Sequence, residues 1–68
     1  MKKSEAMNLQ AIIRSATRFT TLGNARYHIN KRESPSKWSI ILGDDGYLWV
    51  VTNRQASILV KNGYQLAP

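Results

Sequence analysis

The stretch that most constrains the fold runs from Lys37 to Gly63, KWSIILGDDGYLWVVTNRQASILVKNG, because it reads as a β-hairpin followed directly by a capped helix. Trp38, Ile40 and Leu42 alternate with Ser39 and Ile41. Tyr47, Trp49 and Val51 alternate with Leu48, Val50 and Thr52. Period-2 alternation rich in β-branched and aromatic residues is the pattern of strands. Gly43-Asp44-Asp45-Gly46 between them is turn chemistry: Gly46 accepts a positive φ and the aspartates bond nearby backbone N–H groups. Two registers follow. A two- or four-residue loop puts Trp38, Ile40, Leu42, Tyr47, Trp49 and Val51 on one face. A three-residue loop with a bulge at Gly46 instead pairs Leu42 with Leu48 and mixes those sets.

Thr52-Asn53-Arg54-Gln55 fits a capping box, so a helix is expected over 53–62, with Val51 and Ala56 placed as a hydrophobic staple. Ala56, Leu59 and Val60 form its apolar stripe. Lys61 suits the negative end of the helix dipole, Gly63 suits a left-handed stop, and Tyr64 folds back as in a Schellman ending.

Before this unit, Leu9, Ile12, Ile13 and Ala16 recur at helical spacing, predicting an amphipathic helix from Ser4 to about Arg18, capped by Ser4 or Asn8. Thr17, Phe19, Thr20 and Thr21 favour extended chain, so Arg18 either ends that helix or begins a strand. Gly23-Asn24 reads as a turn. Ala25 to Asn30 alternates Ala25, Tyr27 and Ile29 against Arg26, His28 and Asn30, predicting a strand. Lys31 to Ser36 is a polar linker, and Tyr64 to Leu66 suit a short edge strand. The expectation is a single α+β domain over 1–68, with 1–4 flexible. Its order is α-β-β-β-α: an N-terminal helix, an antiparallel sheet of about three strands with the 37–52 hairpin, and the C-terminal helix.

Sixty-eight residues bury only about 60% of their unfolded surface, which makes self-association as a homo-oligomer a fair expectation. The chain has no cysteine, which excludes a disulfide scaffold and a thiolate zinc site and is compatible with a reducing compartment. Lys2 and Lys3 are not followed by the apolar run of a secretory signal, and no stretch is long enough to span a bilayer. A cytoplasmic location without membrane contact is therefore expected.

The net charge of +6 lies wholly in the first half. Lys2, Lys3, Arg14, Arg18, Arg26, Lys31, Arg32 and Lys37 face only Glu5 and Glu33, whereas Arg54 and Lys61 are balanced by Asp44 and Asp45. Such asymmetry is the footprint expected of a partner rich in phosphates, such as DNA or RNA, or in carboxylates, and equally serves solubility. Arg14, Arg18, Arg26, Lys31, Arg32 and Lys37 are the candidate phosphate contacts. Trp38, Tyr47 and Trp49 are candidates for stacking bases, although so short a chain has reason to use its large aromatics as core. His28 has no acid or cysteine at ligand spacing and reads as a surface or loosely packed strand histidine. Neither a metal site, a cofactor nor a catalytic constellation is expected, and the chain reads as a non-enzymatic binding or regulatory protein. The rival expectation is a protein-interaction module whose sheet face or edge binds a protein partner.

The segment LGDDGYLWVVTNRQASILVKNGYQLA resembles a pattern in short uncharacterised bacterial proteins of phage or plasmid type, which implies a bacterial or mobile-element origin and no particular activity. Trp49-Val50-Val51-Thr52 and the helix after it are also similar to the last wing strand and closing helix of winged helix-turn-helix domains. The sequence departs from that pattern, since one expected helix precedes the hairpin where about three are needed.

Overall fold

The computed structural model describes residues 9–67. The elements are α1 (Leu9–Ser15), β1 (Thr17–Phe19), α2 (Leu22–Asn30), a 3-10 turn (Pro35–Lys37), β2 (Trp38–Leu42), β3 (Leu48–Thr52), α3 (Asn53–Lys61) and β4 (Gln65–Leu66). They form an α+β fold whose antiparallel sheet has the order β1-β3-β2-β4. The terminal edge strand makes the sheet four-stranded, and the Ala67 N–H donates to the Ile40 carbonyl at 2.9 Å to extend its pairing.

The hairpin takes the three-residue loop. Leu42 pairs with Leu48 and Trp38 with Thr52. The Gly43 N–H donates to the Tyr47 carbonyl at 2.8 Å, and Gly46 supplies the positive φ of 87°. This register is the second of the two alternatives, so Trp38, Ile40 and Leu42 do not share a face with Trp49 and Val51. Ile41, Trp49 and Val51 instead share one face, covered by Ile12 and Ala16 from the α1 segment and Ala56 and Leu59 from α3. Val50 lies on the other face, against Ala25 and Ile29 of α2, with Phe19, Trp38 and Ile40 packed around them. The sheet is thus apolar on both faces because it is covered on both.

The expected strand at Ala25 to Asn30 is a helix. Thr21 caps it by accepting from the Asn24 N–H at 3.2 Å, so Gly23 and Asn24 form a first helical turn rather than a turn between strands. Ala25, Tyr27 and Ile29 alternate in sequence, yet Ala25 and Ile29 are buried while Tyr27 is 63% exposed. Burial therefore follows the i, i+4 spacing, not the period of two. Among the described residues two α-helices rather than one precede the hairpin, and the segment directly before it is a 3-10 turn.

Helix α1 stops at Ser15, short of Arg18, and its expected caps Ser4 and Asn8 lie outside the described residues, as do Lys2 and Lys3. Arg18 belongs to β1, where it pairs with Trp49. Helix α3 has both ends as expected: the Gln55 N–H donates to Thr52 Oγ1 and the Thr52 N–H to Gln55 Oε1, each at 3.1 Å. At the other end Gly63 has φ 100°, and the Tyr64 and Gly63 N–H groups donate to the Leu59 and Val60 carbonyls, each at 3.1 Å. That pair of bonds is the full Schellman ending.

Candidate nucleic-acid interface

The two ends of the hairpin differ in charge. Asp44 and Asp45 occupy the turn, and both are committed there. Asp45 accepts from the Tyr47 N–H and from Trp49 Nε1, each at 3.0 Å, and pairs with Arg18 Nε at 2.9 Å. Desolvation acts to raise the Asp45 pKa, but the Tyr47 N–H, Arg18 and Trp49 outweigh it together, holding the carboxyl below its ordinary value. Asp44 accepts from Tyr64 Oη at 3.2 Å. Desolvation, then the Asp44 carboxylate, pushes the Tyr64 phenol above its ordinary range.

At the other end, about 17 Å away along a five-residue strand, the pairing of Trp38 with Thr52 brings the residues before β2 beside those after β3. Lys37, Trp38, Thr52, Asn53 and Arg54 line one depression of about 330 Å³. Arg32, Glu33, Ser34 and Trp38 line a second of about 360 Å³. Trp38 borders both.

Arg32 lies over the Trp38 ring, its Cζ 3.8 Å from the ring centroid, as expected of a weakly hydrated cation on an indole. The guanidinium also donates from Nη2 to His28 Nε2 at 2.7 Å, so this nitrogen of the imidazole is the acceptor. The His28 ring packs against Phe19 with centroids 5.0 Å apart. Helix α2 thereby fixes Arg32 through a chain of rings anchored in the core. One residue earlier, Lys31 Nζ sits 4.9 Å from the Tyr27 ring centroid, continuing the cation and aromatic surface along α2.

The six basic residues named from sequence do not converge. Arg32 and Lys37 belong to the Trp38 corner, and Lys31 lies over Tyr27. Arg26 is exposed on α2. Arg14 is exposed on α1, across the sheet from α2. Arg18 is a structural residue at the opposite end: it donates to the Ile13 and Ala16 carbonyls at 3.0 and 3.3 Å and lies 5.0 Å from the Trp49 ring centroid. The stacking row separates as well. Trp49 is 1% exposed and belongs to the core, Tyr47 stands at the turn, and Trp38 alone sits among cations. His28 is helical and half-buried rather than a strand histidine.

Sequence reasoning missed one member of the corner, Arg54, which lies in the charge-balanced half. Pairing across the hairpin, once its register is known, is the signal that brings the start of α3, with Arg54, beside Lys37. Among the described residues no three His, Asp or Glu side chains gather as metal ligands, and no helix is long and apolar enough to cross a membrane. Comparison with protein-family models, with curated proteins and with solved structures finds no match to this chain, so its own geometry carries the functional reading.

Proposed function

We propose that this chain is a small non-enzymatic accessory protein of the cytoplasm that binds nucleic acid at the open end of its hairpin. The observation that supports this is the Trp38–Thr52 register, which gathers Lys37, Arg54 and Arg32 around Trp38 with Glu33 beside them. Aspartates 44 and 45 are held at the far end by Arg18 and Tyr64. A polyanion approaching the molecule is thus drawn to one end and repelled from the other, and phosphates neutralised there release counterions. The test is binding of labelled DNA and RNA oligonucleotides by anisotropy. Lys37→Glu with Arg54→Glu, both exposed and outside the core, is expected to weaken binding at least tenfold at low salt. Equal binding by the folded double variant overturns this reading.

A protein-interaction role is favoured by a different observation. A mainly apolar groove runs between α3 and β4, where Val60 and Leu66 are 43% and 57% exposed. A protein partner or a second copy of the chain would cover these residues. Val60→Lys with Leu66→Lys separates the two readings, since it abolishes such association and leaves oligonucleotide binding intact.

A further inference from the structure

We infer that the outer edge of β4 pairs with the same edge of a second copy of this chain, joining the two sheets across Leu66. This rests on the protein-interaction reading above and names its partner. Three features of the edge lead there.

The first is the hydrogen bonding of β4. Ile41 is opposite Leu66 and Leu42 opposite Gln65, and the Ala67 N–H donates to the Ile40 carbonyl at 2.9 Å. Antiparallel partners alternate between pairs that exchange both bonds and pairs that exchange none. Gln65 and Ala67 therefore bond to β2, and Leu66 faces away from it. The bond from the Gly43 N–H to the Tyr47 carbonyl sets the same alternation on the other side of β2, where Ile41 spends its backbone groups on Trp49. The Leu66 N–H and C=O thus point outward from the last strand of the sheet. On either side of Leu66 the edge lacks a donor: the Tyr64 N–H is given to the Leu59 carbonyl, and Pro68 has no N–H to give.

The second is what fits an edge of one residue. Two hydrogen bonds are all that it adds, so the occupant must also bring apolar side chains in register with the groove between α3 and β4. A second copy does both by symmetry. Related by a two-fold axis, its Leu66 exchanges both bonds with this one in an isologous contact, and its own groove meets this groove across the seam. Val60 and Leu66, exposed in the single chain, are then covered in both copies.

The third is charge. The chain carries +6, yet in residues 38–68 Arg54 and Lys61 balance Asp44 and Asp45. Both α3 and β4 lie in that balanced part, so two cationic copies meet there with least repulsion. The two-fold operation also reverses the hairpin, setting the Asp44 end of one copy alongside the Lys37 and Arg54 end of the other. The two β2 strands are then three strand spacings apart, about 14 Å, beyond the screening length of about 8 Å at physiological salt. Charge therefore orients the pair, and the apolar seam holds it.

The experiment is sedimentation velocity of the full chain from about 10 μM to about 1 mM, the range in which a small interface fills. The parent should pass from the mass of one chain to twice that mass, while Val60→Lys with Leu66→Lys should stay at one. Leu66→Cys reads the register, since the chain has no cysteine of its own. Facing residues of a bonded antiparallel pair have Cα atoms about 5.5 Å apart, within reach of a disulfide. Under mild oxidation, Leu66→Cys should cross-link roughly tenfold faster than Tyr27→Cys, which is exposed on α2. Each variant is admitted only if its circular dichroism matches that of the parent. A parent that stays monomeric throughout overturns the self-pairing and leaves the groove to a different protein. A dimer that survives Val60→Lys with Leu66→Lys overturns the groove as the interface, and this pairing with it. Equal cross-linking at positions 66 and 27 overturns the Leu66 register.

Discussion

Gly43→Ala and Gly23→Ala make the same chemical change and should move stability in opposite directions. A methyl group on Gly43 would overlap Nε1 of Trp49, lie 2.5 Å from Cε2 of the same ring and stand 2.7 Å from Asp45 Oδ1. None of these atoms gives way easily. The indole is locked between α1, α3 and the sheet, and it donates to the carboxylate that the methyl also meets. Overpacking of this kind costs about 1–3 kcal/mol, partly offset by the smaller entropy of the unfolded chain. The net loss is about 1.5 kcal/mol, or roughly 6–12 °C in melting temperature for a chain of this length. At Gly23 an added methyl meets nothing within 4 Å, and the residue lies in the first turn of α2, where alanine is preferred to glycine. Stability should rise by about 0.7 kcal/mol, roughly 3–6 °C. Thermal melts followed by circular dichroism decide the matter. A neutral Gly43→Ala would refute the close packing of the turn on Trp49, and a destabilising Gly23→Ala would refute the helix assigned to 22–30.

Thr52→Ala removes the capping box of α3 and should cost about 1 kcal/mol in chemical denaturation, whereas Ser57→Ala on the exposed face of the same helix should stay within about 0.5 kcal/mol. Stability should fall in acid through Asp45. Its carboxyl is held below the ordinary 3.8 in the folded state, so its contribution is complete above that value and is lost as pH falls through the lower folded value. Asp45→Asn should flatten that part of the stability profile. Tyr64 behaves in the reverse sense: its phenol is raised above 10.0, so its contribution is complete below pH 10 and disappears as pH rises through the higher value, which a Tyr64→Phe comparison reads directly.

The elements legible in the sequence are those whose determinants lie within a few residues. The capping box at Thr52 and Gln55 and the Gly63 ending are local, and α3 has the ends they imply. Helix α2 was hidden because Ala25 and Ile29 satisfy a period of two and a spacing of four at once, and the capping bond from Asn24 to Thr21 decides between them only in the folded chain. The hairpin register hung on one bond between Gly43 and Tyr47, and with it the face of every strand residue. The corner around Trp38 inherited both uncertainties. Arg18 looked like a free cation because its partner, Asp45, is 27 residues away, and Arg54 looked neutralised because charge was counted along the chain instead of across the sheet.

The most direct test of the central claim is the salt dependence of oligonucleotide affinity for the parent chain and for Lys37→Glu with Arg54→Glu. The parent should show log affinity falling linearly with log salt, and the double variant a slope shallower by about 1.4, two phosphate contacts at about 0.7 each on a single strand. No measurable binding at low salt, or identical slopes for the two folded proteins, would contradict the assignment of this corner as a nucleic-acid interface.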